Sequence, residues 1–129
     1  MYLSIKYLIA VMVGGALGAA ARYLMMLSVG SWFENGFLLG TILVNVVGAL
    51  LLGGLIEITN QLWSPSPMIR MFLITGILGS FTTFSAITLD FYTLLGHGEI
   101  LVATLYVFVT CISGITAFFG GLFLLRALL

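Results

Sequence analysis

Charge is what this chain has least of. Of 129 residues, four are Lys or Arg and four are Asp or Glu, with a net charge of zero. A soluble domain would carry about a quarter charged residues. No basic patch exists to meet a phosphate backbone, so nucleic acid is not expected as a partner. The single cysteine, Cys111, excludes an intramolecular disulfide and any cysteine cluster for a metal. The single histidine, His97, lies in Gly96-His97-Gly98-Glu99, which reads as a tight solvated loop. With no His beside a Ser or Cys, no paired carboxylates, no metal-ligand spacing and no phosphate loop, the chain is not expected to be an enzyme.

What fills the chain instead is apolar: 62% of residues are hydrophobic and the mean hydropathy is +1.29. The few charges punctuate it. None occurs between Glu34 and Glu57, between Arg70 and Asp90, or between Glu99 and Arg126, and the stretch from Tyr7 to Val29 holds only Arg22. Each interval is near or above the roughly 20 residues that cross hydrocarbon. The expected fold is an all-α integral membrane protein, one domain over residues 1–129 with spans at about 6–28, 37–58, 68–95 and 100–127. The segment Leu8 to Leu27 is too long for a cleaved signal peptide. Four thin helices poorly enclose a pathway alone, so an oligomer is expected. If both termini share a side, Lys6, Arg70 and Arg126 lie there against Arg22 opposite. That places those ends in the cytoplasm by a narrow margin, and insertion both ways as an antiparallel dimer stays open.

Small and polar residues recur on single helix faces. Ala10, Gly14, Gly18 and Arg22 step by four in the first span, a face that lets a neighbouring helix approach closely and keeps the guanidinium from lipid. Arg22 either draws anions into a vestibule or bonds carbonyls of a neighbour, and the structural role is favoured. Val29 to Gly36 reads as a loop with Trp32 and Phe33 at the interface. In the second span Thr41, Asn45, Ala49 and Gly53 repeat at four. Asn45 is placed mid-span as interhelical glue or, beside an anion route, as a coordinating amide. In the last span Tyr106, Thr110 and Gly114 share a face, with Ser113 and Ala117 beside it, which suits either packing or a hydroxyl track.

The third span breaks the pattern. From Gly76 to Asp90 it holds Gly-Ile-Leu-Gly-Ser-Phe-Thr-Thr-Phe-Ser-Ala-Ile-Thr-Leu-Asp. Lipid cannot satisfy a free backbone group, so spans stay helical unless protein or a water-filled cavity surrounds the interruption. The glycines loosen a first half-helix, and Ser80, Thr82, Thr83 and Ser85 can cap a second. An intact helix whose hydroxyls bond back to their own carbonyls is the alternative; the Gly-x-x-Gly-Ser preface favours a break near the middle. Exposed carbonyls at such a break favour a cation, and amides at the new start favour an anion. Asp90, one turn on, is a near-buried carboxylate for which an arginine partner is the ordinary expectation. Two transport classes fit: a passive ion pathway, and a proton-coupled exporter of small organic cations. The exporter needs a central carboxylate, and the first span has none. An assembly subunit without transport of its own is a third option.

The motifs, taken in order, resemble those of the Fluc (CrcB-type) fluoride channels over nearly the whole chain. They are Gly14-Gly15-Ala16-Leu17-Gly18-Ala19 with Arg22-Tyr23, Gly40-Thr41 with Val44-Asn45 and Gly48, and Thr75-Gly76 through Thr82-Thr83-Phe84-Ser85, followed by Gly96-His97-Gly98 and Tyr106. The resemblance implies a multi-pass protein of the bacterial inner (plasma) membrane that exports fluoride passively through two narrow pores of an antiparallel, dual-topology homodimer embedded in lipid. It implies a structural sodium ion at the dimer centre, held by backbone carbonyls of Gly79 and Thr82. It assigns Asn45 as the pore asparagine and Phe84 as the first pore phenylalanine, Tyr106 and Thr110 as the hydroxyl track, and Thr83 and Ser85 nearby. Ile87 stands where a second pore phenylalanine is usual, and Gly114 where a second hydroxyl is usual, with Ser113 adjacent. Some members pair two related chains, and Ile87 keeps a heterodimer open behind the homodimer.

Overall fold

The computed structural model describes residues 3–34 and 36–129. Four of its helical segments are long and apolar enough to cross a membrane: Ile5–Trp32, Gly36–Gln61, Pro67–Gly96 and Ile100–Leu128. At about 1.5 Å per residue each exceeds the ~30 Å hydrocarbon layer, so the helices tilt or emerge from it. The first, second and last are unbroken and are called α1 (Ile5–Trp32), α2 (Gly36–Gln61) and α6 (Ile100–Leu128). The loop expected from Val29 is helical instead as far as Trp32. Val29 is 3% exposed, and Gly36 lies so close to Gly30 that a Cβ there would overlap its Cα. That close crossing lets α1 run on to the turn.

The third span is composite. A short α3 (Pro67–Arg70) opens it, with Pro67 in the first turn and the Ser66 hydroxyl accepting the Ile69 N–H. A π-helix over Met71–Leu78 and a single turn α4 (Gly79–Phe81) follow. The chain then turns extended at Thr82 (φ −79°, ψ 157°), and α5 (Ser85–Gly96) completes the crossing. The break foreseen in the sequence is there; the π-helix before it was not foreseen. π-Geometry is rare and concentrates at functional sites. The α5–α6 loop turns at Gly98, whose φ of 75° is a conformation that favours glycine.

Helices meet through glycine. A Cβ on Gly14 would come within 2.5 Å of the Phe72 carbonyl oxygen, and one on Gly18 would overlap that of Ile77, so α1 lies directly on the π-helix backbone. Gly53 and Gly121 do the same for α2 and α6, facing the carbonyls of Phe118 and Leu50. With apolar lipid outside, such close packing replaces the hydrophobic drive as the main source of helix association. The buried core is accordingly small. Ile87 and Leu94 of α5 meet Ala103 and Tyr106 of α6, with Leu38, Ile42, Phe91 and Val107 around them.

At one end of α2 and α6, Arg126 donates from Nε and Nη2 to the two carboxylate oxygens of Glu57, each at 3.0 Å. Gln61 also donates to Glu57. The carboxylate is almost wholly buried while the arginine is half exposed, so the pair fixes the two helix ends with its positive side toward water. A planar fork on a carboxylate is the strongest geometry for such a pair.

Candidate functional site at the helix break

The interruption is held open by one side chain. Asn45 of α2 accepts the Thr83 N–H on Oδ1 at 2.7 Å and donates from Nδ2 to the Thr83 carbonyl at 3.0 Å. Both main-chain polar groups of a non-helical residue are thereby satisfied, as they must be away from water. Gly48, one turn along α2, makes the room: a Cβ there would collide with the Thr82 methyl and come within 3.1 Å of the Phe81 ring.

Because the Thr83 N–H turns to Asn45, the carbonyl of Gly79 loses its usual acceptor role within the helix. Among the described residues no hydrogen bond reaches the carbonyls of Gly79, Ser80, Phe81 or Thr82. On the other side of the break, the Thr83 hydroxyl accepts the Ala86 N–H at 3.1 Å and lies 3.2 Å from Ser85 Oγ. Thr83 thus caps α5. The first main-chain bond of the new helix is Thr88 N–H to the Phe84 carbonyl, so the amides of Phe84, Ser85 and Ile87 are left without acceptors among the described residues. Bare carbonyls and bare amides therefore face away from the same break, with opposite polarity.

About one and a half turns into α5, Asp90 is 8% exposed. The arginine partner expected for it is absent among the described residues. Instead Oδ2 accepts the Thr41 hydroxyl at 2.7 Å and the Tyr106 hydroxyl at 2.6 Å. Hydroxyls reach it because Thr41 and Asn45 stand one turn apart on α2, and Tyr106 faces α5 from α6. The Tyr106 hydroxyl, expected in a track along α6, is thus engaged by a carboxylate. One turn further, Thr110 is 2% exposed and its Oγ1 has no hydrogen-bond partner among the described residues.

Asn45, Thr83, Phe84, Ile87 and Thr110 line one groove of about 280 Å³ between the break and α6. The Phe84 side chain is 76% exposed at its rim, whereas Ile87 is packed into the core. Ser85 lies outside this lining. Ser113 faces a separate groove with Leu105 and Phe108, and its hydroxyl donates to the Thr110 carbonyl at 3.3 Å. Arg22 is half-buried on α1 and makes no ion pair or side-chain hydrogen bond among the described residues. His97 is exposed in its loop. The Glu57–Arg126 pair was missed in the sequence. The two lie 69 positions apart, and the only hint was that both cut off apolar runs at a helix end.

A family model for "CrcB-like protein, Camphor Resistance (CrcB)" matches residues 9–122. A protein of Rhodospirillum centenum named "Fluoride-specific ion channel FluC" is 40% identical over 121 residues, covering 94% of this chain and 96% of its own. A Rhizobium meliloti protein of the same name is 41% identical over 127 residues, covering 95% and 98%. One from Nitrobacter winogradskyi, also of that name, is 36% identical over 122 residues, covering 95% and 97%.

Proposed function

This chain belongs to the CrcB-like family, and on that premise we propose that it is a passive, fluoride-specific channel of the bacterial plasma membrane. It is a multi-pass transporter rather than an enzyme. The observation that carries the reading is the Asn45–Thr83 clamp. It holds a non-helical peptide open in mid-membrane beside a groove with an unpartnered buried hydroxyl. A small, strongly hydrated anion sheds water only onto donors already in place, and this lining supplies them. They are the second N–H of the Asn45 amide, the Thr110 hydroxyl, the free amides at the start of α5, and the positive edge of the Phe84 ring.

The finer reading is an antiparallel homodimer with two such pores. The half-exposed faces of one chain fit it: Phe84 stands outward where a second copy would close the groove. A structural sodium ion at the dimer centre fits the residues present. Among the described residues the Gly79 and Thr82 carbonyls accept no hydrogen bond, and hard cations take oxygen ligands of this kind. Two carbonyls from each of two copies would hold it, and such an ion would neutralise oxygens that lipid cannot. Arg22, half-buried and without a side-chain partner among the described residues, supplies positive potential at the pore entrance.

The test is fluoride-electrode efflux from proteoliposomes carrying this chain alone. Fluoride release with chloride retained is the expected result. No release from the chain alone, and release on adding a related chain, would replace the homodimer by a heterodimer, the arrangement Ile87 keeps in view. Release only against a proton gradient would sink the channel.

A further inference from the structure

Cys111 has no place in the function just described, yet its thiol stands in the wall of the same groove, beside Asn45, Thr83, Phe84 and Thr110. It is exposed and free. Alone, that would mean little, since an exposed thiol on a membrane helix ordinarily faces lipid. The residue before it supplies an independent sign. Thr110 also borders the groove, is 2% exposed, and leaves its Oγ1 without a partner among the described residues. A buried hydroxyl with nothing to bond costs about 1–3 kcal/mol, so a polar species, water or an anion, belongs next to it. One turn on, Gly114 leaves the space open: a Cβ there meets nothing within 4 Å. Three other grooves on α6 are lined mainly by apolar residues, with Ser113 and Thr116 in one and Thr88 and Thr104 in another, and none of the three includes Cys111.

We propose that Cys111 faces a hydrated stretch of the fluoride route and is a modification site for small, water-soluble, thiol-specific electrophiles, whose attachment stops the anion flow. The inference rests on the channel reading above. Its chemistry is thiol exchange with an alkyl methanethiosulfonate. The thiol gives its proton to water, and the thiolate sulfur bonds to the sulfenyl sulfur of the reagent. Methanesulfinate leaves with the electron pair of the broken S–S bond. Only the thiolate reacts, and burial in apolar surroundings suppresses it; reaction with a charged reagent therefore reports water at the sulfur. The added chain fills part of a groove of about 280 Å³. An anionic adduct also sets a like charge against the passing halide. At about 6 Å and an effective dielectric of about 20, that repulsion alone slows passage by about a hundredfold.

The experiment uses the full chain in proteoliposomes, treated with a sulfonatoethyl or a trimethylammonioethyl methanethiosulfonate. Efflux of each protein is compared with its own untreated rate, and intact mass is measured in parallel. Expected are a mass shift of one adduct, a fall in efflux of at least about tenfold with the anionic reagent, recovery with dithiothreitol, and no response in Cys111→Ala. A smaller fall with the cationic adduct would show that charge as well as bulk acts on the route. A mass shift with unchanged efflux would overturn the proposal, as would labelling by N-ethylmaleimide but not by either charged reagent, which would place the sulfur in lipid. Absence of efflux before treatment, persisting when a related chain is added, would instead overturn the channel reading. The mass measurement would then still decide whether the thiol meets water, and no shift would remove the proposal as well.

Discussion

The two halves of the third span are held by opposite means. No side-chain hydrogen bond ties residues 67–81 to another helix among the described residues. That half is seated by shape, with Gly76 against Gly14 and the Ile77 carbonyl over Gly18. The half that follows is seated by polar groups: Asn45 on Thr83, and Thr41 and Tyr106 on Asp90. The contrast follows from what each half must leave free. A segment whose carbonyls at 79–82 stay unbonded cannot be fixed by donors competing for them, so glycine contact fixes it. A segment that begins with bare amides can be fixed through Thr83 and the Asp90 carboxylate, contacts that leave those amides free. Shape holds the carbonyl side, and hydrogen bonds hold the amide side.

Substitutions that break this division are expected to differ in size and in kind. The largest effect should come from Gly18→Leu, because the new side chain must displace the Ile77 main chain. Overpacking costs about 1–3 kcal/mol where side chains can move, and here backbone must. Loss of monodisperse protein on size exclusion, or a steep fall in Tm in detergent, is the expected outcome; an unshifted Tm would show that α1 does not lie on the π-helix. Asn45→Ala should come next, orphaning both polar groups of Thr83 at about 1–3 kcal/mol each and abolishing fluoride efflux. Asn45→Asp sharpens the point: it keeps the acceptor for the Thr83 N–H but loses the donor. It should retain more stability than the alanine variant and still lose efflux. Equal thermal shifts for the two would argue against a two-sided clamp.

Tyr106→Phe removes one of two donors to Asp90 while Thr41 remains, so a loss of about 1–2 kcal/mol in stability is expected. Thr41→Val should cost less or the same, because a buried tyrosine hydroxyl would still serve the carboxylate; a far larger loss would mean that Thr41 is the principal partner. The smallest effect belongs to Ile87→Phe. It adds an aromatic edge to the groove wall but crowds a packed position. Efflux is expected to hold or rise, and a lost channel would show that the core, not the groove, owns this residue.

How far these features could be read from the sequence depended on whether their cause was local. The four spans were legible because charge is excluded from hydrocarbon, and the break because Gly-Ile-Leu-Gly-Ser and Phe-Thr-Thr-Phe-Ser are local signals against a continuous helix. Thr83 as the cap of α5 was among the hydroxyls named for it. The partners of Asp90 were not legible. A carboxylate satisfied by two hydroxyls leaves no charge pattern, and Thr41 lies 49 positions away. Nor was the engagement of both ends of the Asn45 amide by the main chain of a single residue, Thr83, which depends on Gly48 admitting the Thr82 methyl. The extra helical length to Trp32 was hidden by two aromatic residues that suit an interface whether helical or not. Tertiary crossing, rather than propensity, decided that boundary.

The π-helix of Met71–Leu78 carries a consequence for how such a chain tolerates change. Its wider coil advances each residue through a smaller angle than ordinary helix does, so the direction in which Gly79 and Thr82 point is an accumulated rotation rather than a local choice. Point substitutions within those eight positions, Gly76 apart, leave the rotation intact. Removing or inserting a single residue there resets the dial for everything downstream. The span is therefore far more tolerant of spelling errors than of a change in letter count.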